Sequence, residues 1–125
     1  MDTVIPVIQV LLALLFALTG VLKLTQPYAK FVKMPAQTWA NDFKPEHIRL
    51  IGVLEVVAAA AMIISLLSPS LMMLAPLAGV GMALIMSGAI VTHLRRTEYP
   101  NIVGNLIWVG LGLFVAYSRL VGFAV

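Results

Sequence analysis

Residues 47–67 read HIRLIGVLEVVAAAAMIISLL, an apolar run that holds a single carboxylate, Glu55. About 20 apolar residues in a helix cross the roughly 30 Å hydrocarbon core of a bilayer, so this run is long enough to span one. An ionised acidic side chain at the centre of a membrane helix costs about 2.5–3.5 kcal/mol on insertion scales, so it needs a partner or a purpose. The residues one helical turn away are Ile51, Gly52, Ala58 and Ala59. Gly52, Ala58 and Ala59 are small, which leaves room for another helix or a ligand to reach the carboxylate.

The rest of the chain extends the same pattern. Of 125 residues, 62% are hydrophobic and 10% charged, and the mean hydropathy is +1.05. Soluble domains are about half apolar and a quarter charged, so the composition predicts a polytopic membrane protein. Residues 1–125 are read as one all-α membrane domain with spans over 4–22, 48–67, 71–92 and 102–120. Short connections make an antiparallel four-helix bundle the expected architecture. Every Lys and Arg except Arg119 falls in or beside the first and third loops. The positive-inside rule then predicts a cell-membrane protein with both of those loops cytoplasmic and both termini outside. Asp2 is the only side-chain charge ahead of the first span, so that span is expected to be a retained helix, not a signal peptide. The long connection, 24–46, sets Tyr28, Phe31, Trp39 and Phe43 among Lys30, Lys33 and Lys44, with Pro27, Pro35 and Pro45 breaking any continuous helix. Such a mixture suits a segment at the headgroup level; the alternative is a solvated loop with its aromatics tucked inward. Asn101 is expected to cap the fourth span, and Pro76 to kink the third near its start.

Each span carries a stripe spaced by threes and fours, which places its members on one helix face. The stripes are Gln9, Ala13, Phe16, Gly20 and Lys23; Ile48, Gly52, Glu55, Ala59 and Met62; Gly79, Met82, Met86, Ala89 and His93; and Asn101, Asn105, Trp108, Gly112, Val115 and Arg119. With a rise of 1.5 Å per residue, Glu55 lies about 9 Å inward from Arg49 and Asn105 about 6 Å inward from Asn101. Lys23 and His93 close their helices at the same end. These groups can therefore meet in the inner half of a bundle.

The chemistry of such a cluster is coherent. Lys23 and Glu55 reduce the cost of burying each other, and Asn105 can both donate and accept. His93, at a helix C-terminus, is favoured as a cation by the dipole. Trp108 can wall a flat ligand such as a quinone ring, or fill the core. Structural readings stand beside these: a register-fixing Lys23–Glu55 pair, an interfacial His93 continuous with Arg95 and Arg96, and Asn105 as interhelical glue. Met82 and Met86 read as core filler. Ala75, Gly79, Ala83 and Ser87, spaced by four, form a close-packing stripe, within the bundle or at an interface with another copy or subunit.

Other chemistries find no support. Without cysteine there is no thiolate catalysis, Cys-ligated zinc or iron–sulfur cluster. His47 and His93 sit at helix ends, so neither a bis-histidine haem nor a zinc site is expected. No nucleophile elbow or phosphate loop appears, and nothing identifies a catalytic group. No exposed basic face is expected for nucleic acid.

Several short segments carry a resemblance: Gly20 and Lys23 ending the first span, Gly52-Val53-Leu54-Glu55, Thr92-His93-Leu94-Arg95, and Asn105. Over nearly its whole length the chain resembles the DoxX-like family of small four-helix membrane proteins. The resemblance implies a bacterial cytoplasmic membrane protein linked to quinone or redox metabolism, the wider family being named for a subunit associated with thiosulfate:quinone oxidoreduction. The leading expectation is a small hydrophobic ligand, quinone or lipid, held by Lys23, Glu55, Asn105, Trp108 and His93. The alternatives are a non-enzymatic assembly module for other membrane proteins and a small proton-coupled transporter.

Overall fold

A computed structural model describes residues 3–124; Asp2 lies outside the described residues. The chain is 83% helical, with no strand among the described residues. Four helices are long and apolar enough to cross a membrane. They are α1 (Val4–Thr25), α3 (Pro45–Ile64), α4 (Leu74–Arg95) and α5 (Tyr99–Ala124). A single-turn helix α2 (Tyr28–Phe31) and a 3-10 turn (Thr38–Asp42) occupy the long connection, and a second 3-10 turn (Pro69–Leu71) precedes α4.

Proline sets most of these boundaries. Pro6, Pro45, Pro76 and Pro100 each fall in the first turn of a long helix, where the missing N–H has no intrahelical partner to lose. Pro76 therefore costs α4 no internal hydrogen bond. The residues before Pro27, Pro45 and Pro69 are extended, with ψ of 136°, 154° and 141°, as the clash with the proline ring requires. These constraints move the boundaries from the expected ones. The helix of the second expected span, 48–67, runs 45–64, that of the third begins at 74 and that of the fourth at 99. Asn101 is consequently inside the first turn of α5 and does not cap it; its side chain turns to His93.

The apolar surface faces outward. Leu14, Leu18, Leu77, Leu84 and Tyr117 are each more than 60% exposed. A soluble protein could not carry such a surface, so the environment is a lipid bilayer and the chain is a multi-pass membrane protein. The buried faces are the stripes: Gln9, Ala13, Phe16, Gly20 and Lys23 on α1, and Ile48, Gly52, Glu55, Ala59 and Met62 on α3, are all buried.

The helices pack mainly as two pairs, α1 with α3 and α4 with α5, and the pairs meet through narrower contacts. Both pairs are antiparallel: Gln9 meets Ser65 at one end of the first and Lys23 meets Glu55 toward the other, while in the second Gly79 meets Gly112 and His93 meets Asn101. Glycine brings each pair close. A Cβ on Gly20 would lie 2.9 Å from the Gly52 carbonyl oxygen, and one on Gly52 3.0 Å from that of Gly20. In the second pair, a Cβ on Gly79 would lie 2.5 Å from the Gly112 carbonyl oxygen. Ala75 and Ala83 are buried beside Gly79, so this part of the small-residue stripe is used inside the chain. Ser87 is exposed and bonds back to the Ala83 carbonyl.

The long connection folds into a cap. Phe31, Val32, Ala40 and Ile48 form its buried centre, and Tyr28 Oη donates to the Phe43 carbonyl at 2.6 Å. Trp39 packs edge-on against both Phe31 and Phe43. Its aromatics therefore fill an internal cluster of their own.

Candidate functional site

Two similar tetrapeptides build the centre of the site. Gly20-Val21-Leu22-Lys23 and Gly52-Val53-Leu54-Glu55 cross antiparallel, so the missing side chain of each glycine admits the base of the other's charged residue. A Cβ on Gly20 would meet Glu55 Cβ at 3.1 Å, and one on Gly52 would meet Lys23 Cβ at 3.0 Å. The two charged side chains then converge, with Lys23 Nζ 2.8 Å from Glu55 Oε1 and both residues more than 90% buried. Thr19, one turn before Lys23, donates to Glu55 Oε2 at 2.9 Å, with the Leu15 carbonyl as a competing acceptor. The Lys23–Oε1 contact satisfies distance but not hydrogen-bond angles, so Oε1 has no hydrogen-bond partner among the described residues.

The pair borders a cavity of about 560 Å³ between the two helix pairs. That volume lies within the roughly 300–1,000 Å³ usual for small-molecule sites. Thr19, Lys23, Ile51 and Glu55 form one wall, α4 from Leu84 to His93 the other, and Gln37, Trp39 and Phe43 of the cap close one end. Asn105 enters from α5, and its Nδ2 is the second buried polar atom without a partner. Leu84 and Val91 on the α4 wall are 68% and 47% exposed, so this wall continues to the lipid-facing surface. Two other hollows, of about 420 and 440 Å³, lie on outer helix faces and offer no polar side chain but Thr3.

Lys23, Glu55, His93 and Asn105 thus line one cavity. Trp108 does not line it; it is half-buried against the apolar core formed by Leu12, Phe16, Met62 and Met82. The tryptophan at the cavity is Trp39, whose ring centroid is 5.6 Å from Lys23 Nζ. Nothing in local sequence spacing marks Trp39 or Gln37, because folding of the cap brings them there. Thr19 did carry a signal, since it stands four residues before Lys23 on the same face.

His93 closes α4 at the cavity's edge. Its Nδ1 lies 2.9 Å from Glu98 Oε1, and Asn101 Nδ2 approaches the same nitrogen at 3.4 Å. A Schellman turn makes this contact possible: the Glu98 N–H reaches the His93 carbonyl and the Thr97 N–H that of Leu94. Thr97 takes the left-handed conformation this turn requires, at φ 56°, which is costly for a β-branched residue. Arg96 joins Glu98 at 3.3 Å to Asp42 at 3.0 Å, tying the α4–α5 turn to the cap. Hydrogen bonding to His93, and then to Arg96, holds the Glu98 carboxyl below its ordinary value. Asp42 in turn raises the Arg96 pKa. Across the site, Arg49 donates from α3 to the Lys23 and Leu24 carbonyls, placing a cation at the C-terminus of α1.

No group of three or more metal-ligating side chains occurs among the described residues. No curated protein and no solved structure matches the chain significantly. The sequence profile of the DoxX-like family matches residues 7–115. That span contains both glycine crossings, the Lys23–Glu55 pair, the cap and Asn105, and the chain belongs to the DoxX-like family.

Proposed function

We propose that this protein crosses the cell membrane as an antiparallel four-helix bundle and binds a small hydrophobic molecule, a quinone or a lipid, in the cavity beside Lys23 and Glu55. Both termini lie outside and the charged loops in the cytoplasm, a reading supported by the placement of Lys and Arg. The cap, with its aromatics and lysines, lies at the cytoplasmic headgroup level.

The observation that carries the ligand reading is that two buried atoms without a hydrogen-bond partner border the same cavity: Asn105 Nδ2, and Glu55 Oε1, which is ion-paired with Lys23 but lacks hydrogen-bond geometry. A buried polar group left without a hydrogen bond costs about 1–3 kcal/mol. A molecule with one oxygen that accepts from Asn105 and a hydroxyl that donates to Glu55 satisfies both. Quinones in their hydroxylated forms and lipid headgroups fit that description, and the Trp39 face is available to a flat ring. The exposed edge of the α4 wall gives such a molecule a route from the bilayer.

Mass spectrometry of organic extracts from purified protein tests the proposal. Wild type should retain one quinone or one lipid species stoichiometrically, and Glu55→Gln about tenfold less. Only two tryptophans are present. A quinone added to Trp108→Phe should therefore quench Trp39 strongly, and added to Trp39→Phe should quench Trp108 weakly. Equal, unselective lipid in wild type and Glu55→Gln would overturn the reading.

A further inference from the structure

A second polar cluster lies at the opposite end of the helices. Gln9 of α1 is fully buried and its amide is fixed by three bonds. Its Nε2 donates to the Met62 carbonyl at 3.2 Å and to Ser65 Oγ at 3.0 Å. Ser65 Oγ in turn donates to the Met62 carbonyl at 2.7 Å. The orientation of the amide is therefore determined, and Oε1 points at Arg119 of α5, accepting from its Nε at 2.7 Å.

This network uses one edge of the guanidinium and leaves the other open. Neither terminal nitrogen of Arg119 has a hydrogen-bond partner, and the residue has no ion pair, among the described residues. It is also the sole basic side chain at this end of the helices. A half-buried guanidinium held rigid without an anion is expensive in an apolar chain, and its free edge presents two parallel donors. A hollow of about 190 Å³ lies against it, lined by Ser65, Ser68, Pro69 and Met72 among others. That hollow is small, and Ser65, Ser68 and Arg119 give it polar groups among Leu66, Leu67, Pro69 and Met72, unlike the larger cavity at the other end. Two parallel N–H groups match two oxygens of a phosphate, the geometry for which arginine is preferred over lysine.

We propose that Arg119, oriented by the buried Gln9, binds a phosphate group in this hollow, with the phosphodiester of an anionic membrane lipid as its natural source. Gln9 acts as a positioning residue: it takes no part in the phosphate contact and fixes the plane of the guanidinium. The site is separate from the Lys23–Glu55 cavity and does not depend on what that cavity holds.

Native mass spectrometry of the full chain in detergent, titrated with phosphatidylglycerol and with diacylglycerol, tests this. Wild type should bind one phosphatidylglycerol about tenfold or more tightly than diacylglycerol, which lacks the phosphate. Arg119→Gln should erase that preference, and Arg119→Lys, which keeps the charge but loses the fork, should fall between them. Arg119→Lys also serves as the readout if Arg119→Gln does not fold. Competition by inorganic phosphate separates the sources: displacement by millimolar phosphate assigns a soluble phosphate, and its failure assigns the lipid. Equal binding of phosphatidylglycerol by wild type and both variants, or equal binding of the two lipids by wild type, would overturn the proposal.

Discussion

Breaking the Lys23–Glu55 pair one side at a time should cost more than removing it whole. Lys23→Met leaves a carboxylate that is 2% exposed with the Thr19 hydroxyl as its remaining bond. Breaking a buried pair costs about 3–5 kcal/mol, and a charge at a membrane helix centre about 2.5–3.5 kcal/mol. The Thr19 bond and the adjoining cavity place Lys23→Met near the lower values, at about 3 kcal/mol. Glu55→Met should cost less, about 2 kcal/mol, because the stranded ammonium sits over the Trp39 face and its long stem can reach toward the helix end. The double variant replaces the pair by apolar chains of similar length and should cost about 0–1 kcal/mol. Equilibrium unfolding in bicelles by steric trapping measures all three. If the double variant instead costs the sum of the singles, about 5 kcal/mol, the two charges are not coupled, which refutes the buried pair. All three variants should lose the cavity ligand, which separates the stability of the site from its binding chemistry.

Two further outcomes follow from the same geometry. Gly79→Ala places a Cβ 2.5 Å from the Gly112 carbonyl oxygen and should destabilise the chain by about 1–3 kcal/mol. Gly81→Ala, with nothing within 4 Å of its Cβ, should stabilise it by up to about 1 kcal/mol through helix propensity; equal effects in thermal unfolding would refute the close crossing. The bond to His93 lowers the Glu98 pKa, so its contribution to stability is complete above the ordinary carboxylate value, about 4.3. That contribution disappears as pH falls through the lower folded value. Melting temperatures between about pH 6 and pH 3 should therefore fall less steeply for Glu98→Gln than for wild type, and parallel slopes would contradict the clamp.

Some of this architecture could be read from residue types alone, because a bilayer leaves few choices. Without water in the hydrocarbon core, backbone groups must bond within their own segment, so four long apolar runs could only be helices. The stripes could be read for the same reason: a polar group inside lipid is expensive, so Gln9, Lys23 and Glu55 were expected on inward faces, while His93 at a helix end was left between the bundle and the interface; all four are buried. Charge and stripe position permitted Lys23 and Glu55 to meet without requiring it; the close crossing of Gly20 and Gly52 brings them together. The boundaries were less legible because backbone sterics at proline, not hydropathy, decide them.

What needed the tertiary structure was everything that depends on neighbours distant in sequence. Trp108 and Trp39 have the same chemistry, but the rotation of α5 turns one into the apolar core, and the folding of the cap brings the other over Lys23. The stripe through Gly79 could have served another chain; the crossing with Gly112 uses it internally. Arg119 is a lone charge in the sequence; in the fold Gln9, itself held by Met62 and Ser65, orients it. Sequence determined which residues must leave the lipid, since transfer free energy belongs to the side chain. Only the tertiary structure decided which of them meet and which atoms remain unpaired, because hydrogen-bond geometry belongs to pairs.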